Sequence, residues 1–259
     1  MGTRILNKLF AFMVVAALSL PALADSSDRL SGGRSDREIA AEVNKKLHDN
    51  DKLREVRATV ADGVVTLSGS VSRYDYKEKV EKKARKVKHV TGVQNRIAVR
   101  AEDISDAELF DRLARKLAYD SYYGQSNVFN YLTLDVRNGV ATLGGRVRDD
   151  GARESALDIA RTEKGVRDVV DRIQVLPASI FDDRLRIRAA RAIYGDPVLR
   201  RYAIDPGAPI RIVVDHGHIT LYGVVADRLE SQVAEFRARE VPGAFSVENR
   251  LIVASEIPR

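Results

Sequence analysis

The sequence contains no cysteine and no tryptophan, and only 6% of its residues are aromatic. The absence of cysteine excludes disulfide bonds, thiol catalysis, cysteine-ligated metals and a lipid anchor on cysteine. The patterns G-x-S-x-G and H-E-x-x-H and the phosphate-binding loop are also absent. His216 and His218 offer a metal only two ligands, which is too few for a site. We therefore expect no catalytic residue, no cofactor and no metal, and hence no enzyme.

Long hydrophobic runs are missing except at the N terminus, where residues 9–20 read LFAFMVVAALSL. This run follows two basic residues and precedes a small-x-small tripeptide that ends at Ala24. It is too short to span a bilayer and has the form of a secretory signal peptide. We therefore expect residues 1–24 to be removed by cleavage after Ala24, and residues 25–34, which are polar and rich in Gly and Ser, to form a flexible leader.

A strong charge excess is also absent, since the formal net charge of the whole chain is +6. Removal of residues 1–24 removes Arg4 and Lys8 and leaves a net charge of +4. So small an excess on an exported protein does not favour nucleic-acid binding.

One stretch occurs three times: DGVVTLSGSV begins at Asp62, NGVATLGGRV at Asn138 and HGHITLYGVV at His216. The copies are 76 and 78 residues apart, and an N/D-R-I/L signature downstream keeps the same spacing. The first position changes from acid to amide to imidazole, so it meets the needs of a turn and not of a catalytic acid. We take the repeat as structural, and its signature residues are Gly63, Gly69, Gly139, Gly145, Gly217, Gly223, Arg96, Arg172 and Arg250.

Each copy predicts the order α-β-β-α-β. Ser35 and Glu38 form a capping box ahead of apolar residues at helical spacing, and Ser105 and Glu108 do the same in the second copy. Two alternating strands around the turn, a second helix and a third strand follow. The predicted class is α+β, with three small domains at residues 35–100, 105–177 and 180–254, each a three-stranded sheet covered on one face by two helices. Gly69 and its counterparts lie on the buried face, where we expect a helix backbone to come close.

The hairpin x-G-x-x-T-L-x-G, the Gly165-Val166 pair and the final N/D-R-I/L strand resemble the BON family (bacterial OsmY and nodulation domain). The resemblance implies a non-enzymatic periplasmic protein connected with osmotic or envelope stress and with phospholipid attachment. His89 departs from the pattern, because the other two copies have Gly165 and Gly243 there. If that position requires a positive φ, histidine is tolerated at some cost.

The first domain carries the basic surface, with 16 basic and 10 acidic residues between positions 35 and 100. Its second helix, expected over residues 74–90, places four lysines on one face, about a quarter turn or more away from its apolar stripe. We predict that this face binds anionic phospholipid headgroups through Lys79, Lys82, Lys83 and Lys86. The alternative is a merely solvated helix face. Arg96, Arg172 and Arg250 could also contact an anion. A strand arginine whose stem covers apolar surface and whose head pairs with a nearby carboxylate explains them more simply.

The second domain carries an aromatic insertion before its first strand. Such residues are favoured at protein and membrane interfaces, but they can also cover their own domain or pack between domains. A second hypothesis is therefore a protein-interaction or chaperone-like module that binds envelope proteins through Tyr119, Tyr122, Tyr123, Phe129 and Tyr131. A spacer without a specific ligand is the third.

Overall fold

The computed structural model describes residues 35–118, 128–204 and 210–256. The expected signal peptide and leader, and three of the insertion tyrosines (Tyr119, Tyr122 and Tyr123), lie outside these ranges. Within them the chain forms three α+β units, each with the order α-β-β-α-β, as the sequence predicts. Each unit has a hydrophobic core of its own between its sheet and its two helices.

Within the described residues each unit has two α-helices. They are α1 (Asp36–His48) and α2 (Tyr74–Arg85), α3 (Asp106–Ala118) and α4 (Asp150–Thr162), and α5 (Ile180–Tyr194) and α6 (Arg228–Arg239).

The strands of the first unit are β1 (Arg57–Ala61), β2 (Val64–Ser68), β3 (Ser70–Val71), β4 (Gly92–Asn95) and β5 (Ala98–Val99). Those of the other two are β6 (Tyr131–Arg137), β7 (Val140–Val147) and β8 (Asp168–Val175), then β9 (Arg211–Asp215), β10 (His218–Val225) and β11 (Ser246–Val253).

The middle strand of each sheet pairs antiparallel with the first strand and parallel with the last. In the first unit the middle and last strands are interrupted, so β3 and β5 form a separate parallel pair beyond the main sheet.

The predicted helix start at Ser35 is present with both hydrogen bonds of a capping box. The hydroxyl oxygen of Ser35 accepts the Glu38 N–H at 3.4 Å, and the Ser35 N–H donates to Glu38 Oε2 at 3.2 Å. Ile39, Val43 and Leu47 then face the core and are at most 2% exposed. A local cap and a buried stripe at helical spacing together fix α1.

The three hairpin turns have the backbone that their sequences predict. Asp62, Asn138 and His216 have φ of 50°, 53° and 49°, and the glycine after each is also in the left-handed region. A two-residue turn with two positive φ angles matches the twist of the strands it joins. The changing side chain at the first position is thus compatible with one constant turn.

The sequence predicts that a helix backbone comes close to Gly69, and this explanation of the glycine is wrong. Gly69 has a φ of +106°, and a Cβ there would lie 2.1 Å from the carbonyl oxygen of Glu55, at the approach to β1. Gly145 repeats this geometry against the carbonyl oxygen of Tyr131. The neighbour that excludes a side chain is therefore the backbone at or just before the start of the preceding strand, and not a helix.

Helix α2 ends at Arg85, earlier than the predicted 90. The chain then turns through His89, whose φ is 66°, at the position where Gly165 and Gly243 have φ of 96° and 93°. The conditional expectation for His89 is thus met: this position does require a positive φ.

A carboxylate of the first helix holds each hairpin turn, which the sequence did not suggest. In the first unit Asp36 accepts the N–H groups of Asp62 and Gly63 at 2.8 and 2.9 Å. Asp106 and Asp182 repeat the arrangement with Asn138 and Gly139 and with His216 and Gly217. The clamp satisfies two turn donors and joins the helix to the sheet in every unit.

Candidate functional site

The four predicted lysines lie together along one groove of about 270 Å³ on the first domain. Lys79, Lys82, Lys83 and Lys86 line it together with Asn50, Leu53 and Tyr76. The short 3₁₀ turn Asp51–Leu53 that follows α1 brings Leu53 to the groove. The site is thus assembled from α2 and from the loop before β1.

The position of the lysines follows from the packing of α2. Its Val80 and Ala84 are fully buried, and Val87 beyond the helix end is 4% exposed. Since residues three, four and seven apart share one side of a helix, the lysines occupy a separate face that points to solvent. Lys86 is the C-cap residue of the shortened helix and remains on this face.

Asp75 neutralises part of the groove's charge. This carboxylate is 5% exposed, and it accepts hydrogen bonds from Arg73 Nε and Lys79 Nζ, both at 2.8 Å. Burial acts to raise the pKa of Asp75, but the bonds from Arg73 and Lys79 outweigh it and the pKa is lowered. Lys79 is therefore a structural partner as well as a surface charge.

Lys82 and Lys86 are exposed, as Lys79 is, but they differ from Lys79 in having no carboxylate partner among the described residues. Within the described ranges neither forms an ion pair, and the ammonium of Lys83 donates only to the carbonyl oxygen of Lys46, at 3.4 Å. An ammonium group without a carboxylate partner keeps its full attraction for an external anion. These three lysines are the part of the predicted site best able to bind a ligand.

Sequence reasoning missed the cluster of cations around Tyr76, one of the residues that line the groove. The ring of Tyr76, 8% exposed, has three cations within 6 Å of its centroid: Arg73 at 4.6 Å, Lys52 at 5.4 Å and Lys79 at 5.5 Å. Such contacts hold cationic side chains close together despite their mutual repulsion. Tyr76 lies on α2 within the basic stretch, but Lys52 reaches it from the preceding turn, which helical spacing alone cannot reveal.

The same positions in the other copies carry different chemistry. In the second domain they are Ser155, Asp158, Ile159 and Thr162. In the third they are Val233, Phe236, Arg237 and Glu240. The basic face therefore belongs to the first domain alone, although all three second helices bury the same side.

Helices α2 and α4 meet across a cleft of about 390 Å³. Arg161 Nε and Glu78 Oε2 form an ion pair across it at 3.0 Å. Tyr74 packs against the core of the second domain, and burial, followed by the nearby Asp168 carboxylate, raises its pKa to about 12. Lys79 and Lys82 also line this cleft, so the basic groove lies next to the junction of the first two domains.

Two insertion aromatics contact the third domain. Phe129 packs against its hydrophobic core, and the ring of Tyr131 stacks on Tyr222 with centroids 3.8 Å apart and planes at 6°. An offset or stacked pair of this kind is a stabilising interdomain contact. These two residues are thus engaged within the chain, while the tyrosines at 119, 122 and 123 lie outside the described residues.

The three repeated arginines do not converge on one place. Arg250 Nε donates to Glu248 Oε1 at 2.8 Å and lies over the ring of Tyr222. Arg96 donates to Gln94 Oε1 at 3.1 Å, and Arg172 lines a shallow polar depression on the open face of the second sheet. Their contacts are local to each sheet.

The residue before each of these arginines joins the last strand to the second helix. Asn95 Nδ2 donates to the carbonyl oxygen of Lys77 and to Glu81 Oε2, both at 3.1 Å. Asn249 repeats this with Ser231 and Glu235 of α6. The N/D-R-I/L signature is therefore explained by its first residue more than by its arginine.

In the part of the chain that the structure describes, no three His, Asp or Glu side chains are grouped as metal ligands. His216 Nδ1 lies 2.6 Å from Asp215 Oδ1, and His218 Nδ1 lies 2.7 Å from the hydroxyl oxygen of Ser246. Across residues 35–118, 128–204 and 210–256, no helix has both the length and the apolar character needed to cross a bilayer.

The model of the BON domain matches the chain three times, at residues 35–101, 105–177 and 198–255. These matches cover most of the sequence, and the chain belongs to the BON domain family. The third match begins after α5, although Leu185, Ala189 and Ile193 of that helix are fully buried in the third core.

Two curated proteins are similar to the chain. The osmotically-inducible protein Y of Escherichia coli K12 is 29% identical over 153 residues, which cover 56% of this chain and 74% of that protein. An uncharacterized protein encoded in the gshII 5′ region of Anaplasma centrale is 25% identical over 146 residues, or 54% of this chain and 94% of that protein.

Solved structures with a detectable likeness include CdsD, a structural protein of the type III secretion system of Chlamydia trachomatis. It is 12% identical, covers 84% of this chain and 91% of that chain, and gives a TM-score of 0.23. The periplasmic domain of PrgH from S. typhimurium is 13% identical, covers 82% and 98%, and gives a TM-score of 0.18. Scores this low do not show a common arrangement of the whole chain.

Proposed function

We propose that this protein is a non-enzymatic component of the bacterial envelope that binds reversibly to anionic phospholipid surfaces through the basic groove of its first domain. One observation carries the proposal: Lys82, Lys83 and Lys86 line the same groove as Tyr76, and Lys82 and Lys86 have no carboxylate partner among the described residues. Phosphate-bearing headgroups are the envelope ligands that such a cluster attracts.

The expected strength is that of a peripheral contact. A lysine near an anionic membrane surface contributes on the order of 1 kcal/mol, and this attraction falls within about a Debye length. Three or four lysines therefore support reversible, salt-sensitive attachment and not insertion. Leu53 and Tyr76 line the groove beside the lysines and are 1% and 8% exposed.

The family and its named relative support a periplasmic location. The N-terminal 24 residues have the pattern of a signal peptide, and the E. coli relative is named as osmotically inducible. We place the protein in the periplasm, attached to a membrane surface under osmotic or envelope stress.

Vesicle co-sedimentation tests the membrane contact. Protein lacking residues 1–24 is mixed with vesicles of neutral phospholipid and with vesicles that also contain anionic phospholipid. We expect binding only to the anionic vesicles and at least a tenfold loss in the double variant K82E/K86E, since each reversal replaces an attraction by a repulsion.

The matched control is R115E/R184E, which changes the net charge equally at exposed helix positions of the other two domains. We expect this control to keep most of the binding. Equal binding to neutral and anionic vesicles, or equal losses in both variants, would contradict a specific role for the groove.

The protein-interaction hypothesis now depends on fewer residues. Phe129 and Tyr131 are engaged with the third domain, so an external partner would have to use the tyrosines at 119, 122 and 123. Cross-linking in envelope extracts tests it: partners captured by the wild type but not by Y122S/Y123S would favour this function over lipid binding.

A further inference from the structure

Helix α6 of the third domain carries an exposed apolar stripe. Leu229 and Phe236 are 60% and 58% exposed. Val233 lies between them at the i+4 position; it is partly buried and also contacts the third core. Residues at i, i+4 and i+7 lie along one side of a helix. The buried side of α6 is a different one, with Ala234 and Ala238 fully inside the third core.

The equivalent helix faces of the first two domains line the two sides of one cleft. Positions 79 and 82 of α2 and positions 155 and 158 of α4 line the same interhelical cleft. These are the same two repeat positions in both helices, so the contact is homotypic: like meets like. The corresponding positions of α6 are Val233 and Phe236.

In the third domain, the equivalent face of α6 has no such counterpart from another domain within the described ranges. Helix α6 packs mainly on α5, β10 and β11 of its own domain, while Leu229 and Phe236 remain open to solvent. It is also the copy in which this face is apolar, whereas α2 presents Lys79 and Lys82 and α4 presents Ser155 and Asp158. An apolar, homotypic face without an intramolecular counterpart is suited to a second copy of itself.

The charges around the stripe allow self-association. Arg237 pairs with Asp196 at 2.8 Å and with Glu240 at 2.9 Å, and Arg239 pairs with Glu235. If a second copy covered the stripe, the arginines brought together would already be paired with carboxylates. The contact would therefore not bring together an excess of positive or negative charge. The lysine face of α2, in contrast, would repel a copy of itself.

We propose that two copies of this protein associate through α6, with Leu229, Val233 and Phe236 of one chain packed on the same residues of the other about a two-fold axis. In such an isologous contact, residues near the axis meet their own counterparts. A 12-residue helix is about 18 Å long, so the contact is smaller than a standard interface and the dimer dissociates readily on dilution.

Sedimentation velocity of the full mature chain, without lipid, tests the proposal over roughly a hundredfold range of concentration. We expect a monomer–dimer equilibrium that Phe236→Ser shifts to monomer by at least tenfold in dissociation constant. Phe245→Ser is the matched control, since Phe245 is 71% exposed on the same domain but lies away from α6, beside Phe181 and His218. It is expected to leave the dimer intact.

The absence of cysteine provides a second readout. A single Phe236→Cys substitution gives a chain with one thiol, which forms a disulfide-linked dimer under mild oxidation if residue 236 meets its counterpart. Phe245→Cys, equally accessible, is expected to cross-link far more slowly. This readout does not depend on how strongly the reduced protein associates.

Either of two results would overturn the proposal: a monomer at every concentration with no faster cross-linking at position 236, or a dimer that Phe236→Ser leaves unchanged. Loss of vesicle binding in monomeric Phe236→Ser without any dimer in the wild type would assign the stripe to lipid instead. Because the sedimentation experiment contains no lipid, its failure leaves the phospholipid proposal standing, and failure of vesicle binding leaves the dimer standing.

Discussion

The second helices of the first and third domains bury the same side. Their outer sides carry contrasting chemistry. Val80 and Ala84 of α2 correspond to Ala234 and Ala238 of α6, and all four are fully buried. On the outer side, Lys79, Lys82 and Lys86 correspond to Val233, Phe236 and Glu240. The fold constrains only the inward positions, so copies of one domain are free to acquire a basic face in one place and an apolar face in another.

The strongest test of this comparison between α2 and α6 is to transfer the lysines of α2 to the equivalent positions of α6. In the K82E/K86E background, the triple change V233K/F236K/E240K adds three lysines beside Arg237 on α6. We expect vesicle binding to recover, by about 3 kcal/mol at most, since each lysine near an anionic surface contributes on the order of 1 kcal/mol. Co-sedimentation with anionic vesicles measures it.

The control for this graft is V233S/F236S/E240Q, which removes two of the three apolar residues of the stripe and one acidic charge but adds no lysine. Recovery only in the lysine variant assigns binding to charge at this helix face. No recovery in either variant would mean that the first domain contributes more than its lysines, with the Tyr76 cluster the leading candidate because α6 lacks a comparable set of cations around an aromatic ring.

The lysine face was predictable because it depends on one helix. Spacing alone separates Lys79, Lys82 and Lys83 from the buried Val80 and Ala84. The groove was not predictable, because Leu53 and Lys52 come from another element and the contact between α2 and α4 depends on the arrangement of domains. The early end of α2 was also missed, since a continuous run of helix formers hides the turn that His89 makes.

The fold itself was predictable from repeated local signals. Hairpin turns with Asp-Gly and Asn-Gly, capping boxes and alternating strands each specify short-range geometry, and three copies in register confirm one another. The clamp from the first helix to the turn was missed, because Asp36 and its partners Asp62 and Gly63 are distant in sequence and an acidic residue in a first helical turn already has a local explanation.

The first and third domains also differ in how deeply the carboxylate that holds the hairpin turn is buried. Asp182 is 4% exposed and holds a buried turn, whereas Asp36 is half-buried and holds a partly buried one. We expect Asp182→Ala to destabilise its domain by about 2 kcal/mol or more and Asp36→Ala by about 1 kcal/mol, because unsatisfied donors cost most where water cannot replace the acceptor. Hydrogen exchange of the Gly217 and Gly63 amides measures each locally. Equal losses in the two domains would contradict this account.

Replacement of His89 is expected to have the smallest effect among these tests of the first domain against the third. His89 holds a φ of 66° where Gly165 and Gly243 occupy the other two domains. A left-handed conformation costs a non-glycine residue roughly 1–2 kcal/mol, and glycine loses part of that advantage through the greater entropy of its unfolded chain. His89→Gly should therefore stabilise the first domain by less than about 1 kcal/mol, seen as slower exchange of the β2 amides with no change in the third domain. Faster exchange in β2 would mean that the imidazole makes a stabilising contact that outweighs the strained backbone.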